Sequence, residues 1–331
     1  MKRVYPPKLQ PGDLVRIVAP SRSLTAITHS ELEKKNHALA VSRLESLGLR
    51  VDEAEHIYES DPFDCPPIES RLHDLHQAFA DPEVKGLITV IGGWNGNQIL
   101  ERIDWDLIAG NPKVFCGYSD ITVFNAAMLV KSGLVTYSGP HISTFGMRDG
   151  IEPTVEGFQK ALMQDQPFEL IPTQEWSEDP WFLDQDKREF QRNPGYLTLQ
   201  EGEAQGTIIG GNLCTLSLLQ GTEFMPSLEG ALLFLEDLRD VREFDRLLHS
   251  LLEQPGGESV RGLVIGRFPS ASEATPEALA HVVAMKQRLK GLPVIYGADF
   301  GHTAPHMTFP IGGEAHLRAV GNDVSLVITE H

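Results

Sequence analysis

Short apolar runs alternate with helix-length amphipathic stretches through the first half of the chain, and this alternation restricts the fold more than any other feature. LVRIVAP (14–20) precedes a helical pattern from about 31 to 47, and GLITVIGG (86–93) precedes a second one. KVFCGYS (113–119) runs into the apolar helical stretch DITVFNAAMLVKSG (120–133), and VTYSGP (135–140) reads as the next strand. Strands separated by helices pair in parallel, so a doubly wound sheet is expected. Ser30 and Glu33 have capping-box spacing at the start of the first helix, and Gly48 is placed to end it.

A chain of 331 residues exceeds what one core serves, so two domains are expected. Residues 1–171 form the α/β unit. Residues 172–205 are polar and acidic, are broken by Pro180 and Pro194 and carry Trp176 and Trp181; they read as a linker or lid. From 206 to 331 come apolar strands at 231–235, 262–266 and 294–298, an amphipathic helix at 241–254, and closing strands in MTFPIGG and NDVSLVITE. The second domain is expected to be the richer in β structure.

The formal charge of −18 opposes a phosphate backbone, and no basic stripe offsets it, which argues against nucleic acid as a partner. It argues equally against an anionic membrane surface. Lys2 and Arg3 are followed by no apolar stretch, and no window has the length of a spanning helix. The three cysteines, 65, 116 and 214, make no metal spacing and cannot all pair, which suits a reducing compartment. A cytoplasmic location is the expectation.

In an open parallel sheet, ligands bind where strands end and loops feed into helices; residues 91–97 and 116–120 sit at such ends. Ser119 follows Gly117 between an apolar strand and an apolar helix. Two roles fit that place: the N-cap of a helix, or a nucleophile thrust out of the sheet at a sharp turn. Gly92 and Gly93 allow close backbone approach to a ligand, or simply relieve a tight turn. ALLFLEDL puts Glu236 and Asp237 at the end of an apolar strand, where a carboxylate can orient a histidine or the two acids can form a solvated turn, and His302 follows another apolar strand. His306 lies four residues on, but Pro305 opposes the helix that would bring both rings onto one ion, and no H-E-x-x-H occurs, so no metal is expected. Cys116 falls within the apolar strand pattern and reads as a core residue.

The stretch IGGWNGNQILERIDWDLIAGNPKVFCGYSDIT with GLVTYSGP resembles the central signature of the serine LD-carboxypeptidases, a family that includes microcin-immunity peptidases. IIGGNLCTL, LFLEDL and GHTAPHMTFPIG match its later motifs in order. The resemblance implies a flavodoxin- or Rossmann-like parallel-sheet N-terminal domain, a smaller β-rich, barrel-like C-terminal domain, and a homodimer. It implies a catalytic triad of Ser119, Glu236 and His302, with the backbone amides of Gly93 and Asp120 as the oxyanion hole and no cofactor. GGWNGN and GGNL resemble the microcin-immunity branch more than the murein tetrapeptide branch, so the expected substrate is a small peptide or a peptidyl nucleotide. Trp181, Arg239 and Asn95 are the candidate substrate contacts, with lid packing the alternative for Trp181 and solvation that for Arg239. A non-catalytic two-domain ligand-binding protein of the same build is the competing reading.

Overall fold

A computed structural model describes residues 2–331. The first half runs β1 (Leu14–Val18), α1 (Glu31–Ser46), β2 (Arg50–Glu53), α2 (Ile68–Ala80), β3 (Val84–Thr89), α3 (Trp105–Gly110), β4 (Val114–Cys116), α4 (Thr122–Ser132), β5 (Thr136–Ser138) and α5 (Glu152–Met163). The strands lie in the order β5-β4-β3-β1-β2, all parallel. This is the doubly wound order whose switch point falls between β1 and β3. The expected capping box is present: Ser30 Oγ accepts the Glu33 amide and Glu33 accepts the Ser30 amide. Gly48 follows α1 with φ 88°, a left-handed conformation that glycine adopts without strain.

The second half continues with β6 (Phe168–Glu169), β7 (Glu175–Trp176), β8 (Gln191–Arg192), β9 (Leu197–Gln200), β10 (Gly202–Asn212), α6 (Leu213–Ser217), β11 (Ala231–Glu236), α7 (Val241–Leu252), β12 (Gly262–Gly266), α8 (Pro276–Ala284), β13 (Val294–Ala298), β14 (Phe309–Ile311), β15 (Glu314–Val320) and β16 (Asp323–Glu330). Eight of these strands form one sheet in the order β6-β16-β15-β10-β11-β12-β13-β9. Its centre, β10 to β13, is parallel, with helices as the crossovers, and antiparallel strands flank it.

The two sheets exchange strands. MTFPIGG supplies β14, which pairs antiparallel with β5 on the edge of the first sheet. Its Phe309 packs on Phe234 and Phe300 of the second half, with ring centroids 5.0 and 4.7 Å apart. Proline at its centre is tolerated because β14 is an edge strand. In return β6, which falls within residues 1–171, joins the second sheet by pairing with β16. One apolar cluster runs from Phe115, Phe124 and Met128 into Leu213, Leu233 and Leu235, so the core is continuous beneath the carboxyl ends of both sheets. Among the described residues, no helix is long and apolar enough to cross a membrane.

Candidate active site

Ser119 stands where β4 turns into α4. Gly117 makes the turn possible, since a Cβ there would fall 2.2 Å from Thr89 Oγ1. Ser119 itself has φ 60°, a conformation unfavourable for a residue with a side chain and found where the surroundings over-determine it. The hydroxyl does not cap the helix: the N-cap position of α4 is Ile121, which makes no side-chain cap bond. Instead Ser119 Oγ lies 3.1 Å from His302 Nε2.

On its other side the His302 ring meets Glu236, with Nδ1 2.8 Å from Oε2. An acceptor at Nδ1 fixes that nitrogen as the N–H, leaving the Nε2 lone pair for the Ser119 hydroxyl. Glu236 ends a wholly buried strand and is itself 2% exposed. Its remaining oxygen, Oε1, accepts Asn212 Nδ2–H at 3.1 Å. Burial raises the Glu236 carboxyl, but the charge and hydrogen bond of His302, with the Asn212 bond, bring it below the ordinary range. Burial conversely lowers His302, and the Glu236 charge and hydrogen bond outweigh it, holding the imidazole above its ordinary 6.5.

The loop carrying His302 needs glycine at 301, where φ is 118° and a Cβ would fall 3.1 Å from Glu236 Oε2. His306 braces the same loop, its Nδ1 2.9 Å from the Gly301 carbonyl. The Tyr118 ring lies between His306 and His141, with centroids 4.1 and 4.3 Å away. Burial pushes His306 down to about 4 and His141 well below its ordinary value, so both rings are neutral at pH 7.

Gly92 packs directly on the serine: a Cβ there would lie 2.8 Å from Ser119 Oγ and 3.3 Å from the Asp120 nitrogen. A Cβ at Gly93 would fall 2.2 Å from Ser21 Oγ. Asp120, 2% exposed, accepts hydrogen bonds from Ser21 Oγ and, at 2.8 Å, from the Gly96 amide. Its carboxylate thereby ties the 92–96 loop and the end of β1 to the serine turn. Burial raises the Asp120 carboxyl, and those hydrogen bonds only partly offset it.

The serine turn and His302 open on a cleft of about 550 Å³, bounded by Tyr118 and His302 on one side and by residues 177–182 on the other. Trp181 and Phe182 line it, together with Arg22 and His37. The covering segment is pinned by Asp179, which accepts from Ser177 Oγ, from Arg188 Nε and from the Glu189 amide. Trp176 lies elsewhere, against the Arg267 guanidinium at 4.9 Å. Asn95 turns its side chain toward Cys65 Sγ and lends its carbonyl to Arg71, and Arg239 stands 3.5 Å from Glu243; neither lines the cleft. Asn212 and Ser21 were not singled out from the sequence. The signal for Asn212 was present in GGNL, directly after a strand and at the start of a helix.

Two open α/β sheets meeting at their carboxyl ends, with a serine, a histidine and a buried carboxylate in line, define a hydrolase-like architecture. The chain belongs to the LD-carboxypeptidase family: the model of that family's N-terminal domain matches residues 15–139 and that of its C-terminal domain residues 205–317. It is 46% identical, over 99% of its length and 100% of the relative's, to YocD of Bacillus subtilis, to which a carboxypeptidase role is ascribed. The crystal structure of an MccF-like protein from Bacillus anthracis superposes with a TM-score of 0.95 at 46% identity, covering 99% of this chain and 100% of that one. The microcin C7 self-immunity protein MccF of Escherichia coli is 29% identical over 86% of each chain. A mutant MccF in complex with adenosine monophosphate superposes at a TM-score of 0.87, with 27% identity and 99% of each chain covered.

Proposed function

We propose that this protein is a serine-type carboxypeptidase or amidase that cleaves an amide bond of a small peptide-like substrate through an acyl-enzyme. Membership of the LD-carboxypeptidase family supports a peptide-hydrolysing function. The observation that carries the serine mechanism is the line from Glu236 Oε2 through His302 to Ser119 Oγ, with separations of 2.8 and 3.1 Å. His302 Nε2 takes the hydroxyl proton as Oγ attacks the scissile carbonyl carbon, and Glu236 stabilises the imidazolium. The carbonyl oxygen, now negative, is held by the backbone N–H groups of Gly93 and Asp120. His302 returns the proton to the leaving amine, and water, deprotonated by the same ring, hydrolyses the ester.

Within the family the reading favoured is a peptidyl-nucleotide substrate. Trp181 and Arg22 both line the cleft, and MccF has been solved with adenosine monophosphate and with aspartyl sulfamoyl adenosine. A cytoplasmic homodimer completes the proposal. Incubation with an L,D-linked tetrapeptide and with an aspartyl-adenylate amide, followed by mass spectrometry, distinguishes the branches. Labelling of Ser119 by a fluorophosphonate tests the nucleophile, and a wild-type protein left unlabelled would return the chain to the ligand-binding reading.

A further inference from the structure

A second group of reactive side chains lies apart from the serine cleft, where the turn after β2 meets α2. Glu55 and His56 come from the turn and His73 from the helix, and one ligand atom from each lies within 4.8 Å of the others. Glu55 Oε2 stands 3.5 Å from His73 Nε2, and the two imidazoles meet edge to face with centroids 5.1 Å apart. Tetrahedral bonds of about 2.1 Å place neighbouring ligand atoms about 3.4 Å apart, so the carboxylate and His73 already have the spacing a bound ion requires.

The orientation of His56 is fixed from behind. Its Nδ1 lies 2.7 Å from Asp74 Oδ1, while Asp74 Oδ2 accepts the His56 amide at 3.0 Å. Asp74 is only 6% exposed, so it serves as a rigid acceptor. A carboxylate at Nδ1 keeps the proton there and turns the Nε2 lone pair outward, the arrangement that orients metal-ligating histidines. The three residues line a concavity of about 570 Å³. Arg102 at its rim is paired with Glu69 at 2.7 Å, and His76 Nε2 accepts the Asp104 amide, so neither competes for the centre.

We propose that Glu55, His56 through Nε2 and His73 through Nε2 form a three-ligand site for a zinc-class divalent cation, with water as the fourth ligand. Two imidazoles and one carboxylate suit Zn²⁺, Co²⁺ or Ni²⁺, whereas Mg²⁺ and Ca²⁺ prefer all-oxygen sets. The ion clips the turn after β2 to α2 and takes no part at Ser119.

The test uses the full chain after dialysis against EDTA, titrated with Zn²⁺ against a chromophoric chelator and, separately, with Co²⁺. One equivalent is expected to bind, with the intense visible bands of four-coordinate Co²⁺, and Zn²⁺ is expected to raise the melting temperature. His73→Ala removes an exposed ligand and should abolish the stoichiometric binding. Asp74→Asn should weaken it about 10–100-fold, while both variants retain wild-type peptidase activity. Equal Zn²⁺ binding by wild type and His73→Ala, or binding by neither, would reduce the group to a surface ion pair and overturn the proposal. That result would leave the serine mechanism untouched.

Discussion

Asn212 and Glu236 stand opposite each other at the ends of two parallel strands, and Asn212 Nδ2 donates to the carboxylate oxygen that His302 leaves free. Asn212 also accepts the Thr215 amide at the start of α6, and its own amide donates to Thr122 Oγ1 at the start of α4. The Asn212 side chain thus ties the acid of the second sheet to α6, while its backbone N–H reaches the helix that follows the serine of the first. Asn212→Ala leaves Glu236 Oε1 buried without a donor, which costs on the order of 1–3 kcal/mol. The expected outcome is a fall in kcat of about ten-fold or more with little change in KM, together with a lower melting temperature. A variant that lost stability but kept full kcat would show Asn212 to be a helix cap only.

Ser119 separates chemistry from strain. Ser119→Ala should lower turnover by at least about three orders of magnitude while keeping the fold, because the hydroxyl caps no helix. Ser119→Gly should be equally inactive yet more stable than the alanine variant, because glycine accepts φ 60° without the penalty of about 1 kcal/mol that a Cβ carries there. Thermal melts of the two variants check this. If they melted together, the turn would carry no strain.

The Glu236 and His302 pair sets the pH behaviour. His302 can act as a base only when neutral, so kcat/KM should fall on the acid side with a midpoint above 6.5. Glu236→Gln removes the charge that raises the imidazole and should move the midpoint down while lowering the plateau. For stability the signs oppose. The raised His302 value stabilises the fold below the unfolded imidazole value and loses that effect as pH rises through the folded one. The lowered Glu236 value stabilises above the unfolded carboxyl value and loses its effect as pH falls through the folded one. The pair therefore stabilises most between the ordinary values of 4.5 and 6.5. Melting curves of wild type and His302→Gln should differ most in that window and converge toward alkaline pH.

Local signals carried most of the first sheet and the positions of the candidate site residues into the sequence. The capping box at Ser30, the apolar strand ending at Glu236 and the strand-turn-helix around Ser119 each depend on neighbours within a few residues. What stayed hidden depends on pairing between distant segments. MTFPIGG has the pattern of a strand, but nothing in it says that β5 rather than β10 is its partner. The family resemblance gives Asp120 a role only through its backbone amide, whereas its buried carboxylate gathers the 92–96 loop, a bond that exists only once β3 and β4 are side by side. Trp176 and Trp181 look alike in the acidic segment; the buried Arg267 draws one away and leaves the other in the cleft.

Trp181 carries the prediction about specificity. It lines the cleft on a segment held in place by Asp179 and Arg188, whose ion pair at 2.9 Å has side chains 10% and 4% exposed. Phe182 supports it, with ring centroids 6.1 Å apart at 84°. A flat ring so placed can stack on a nucleobase, a contact worth roughly 1–3 kcal/mol by alanine substitution in nucleic-acid-binding proteins. Trp181→Ala should therefore reduce kcat/KM on an aspartyl-adenylate amide about 5- to 150-fold more than on a bare peptide amide. Adenosine monophosphate should inhibit the wild type and lose potency against the variant by a similar factor. Equal losses on both substrates, with a lower melting temperature and unchanged inhibition, would assign Trp181 to packing of the covering segment instead.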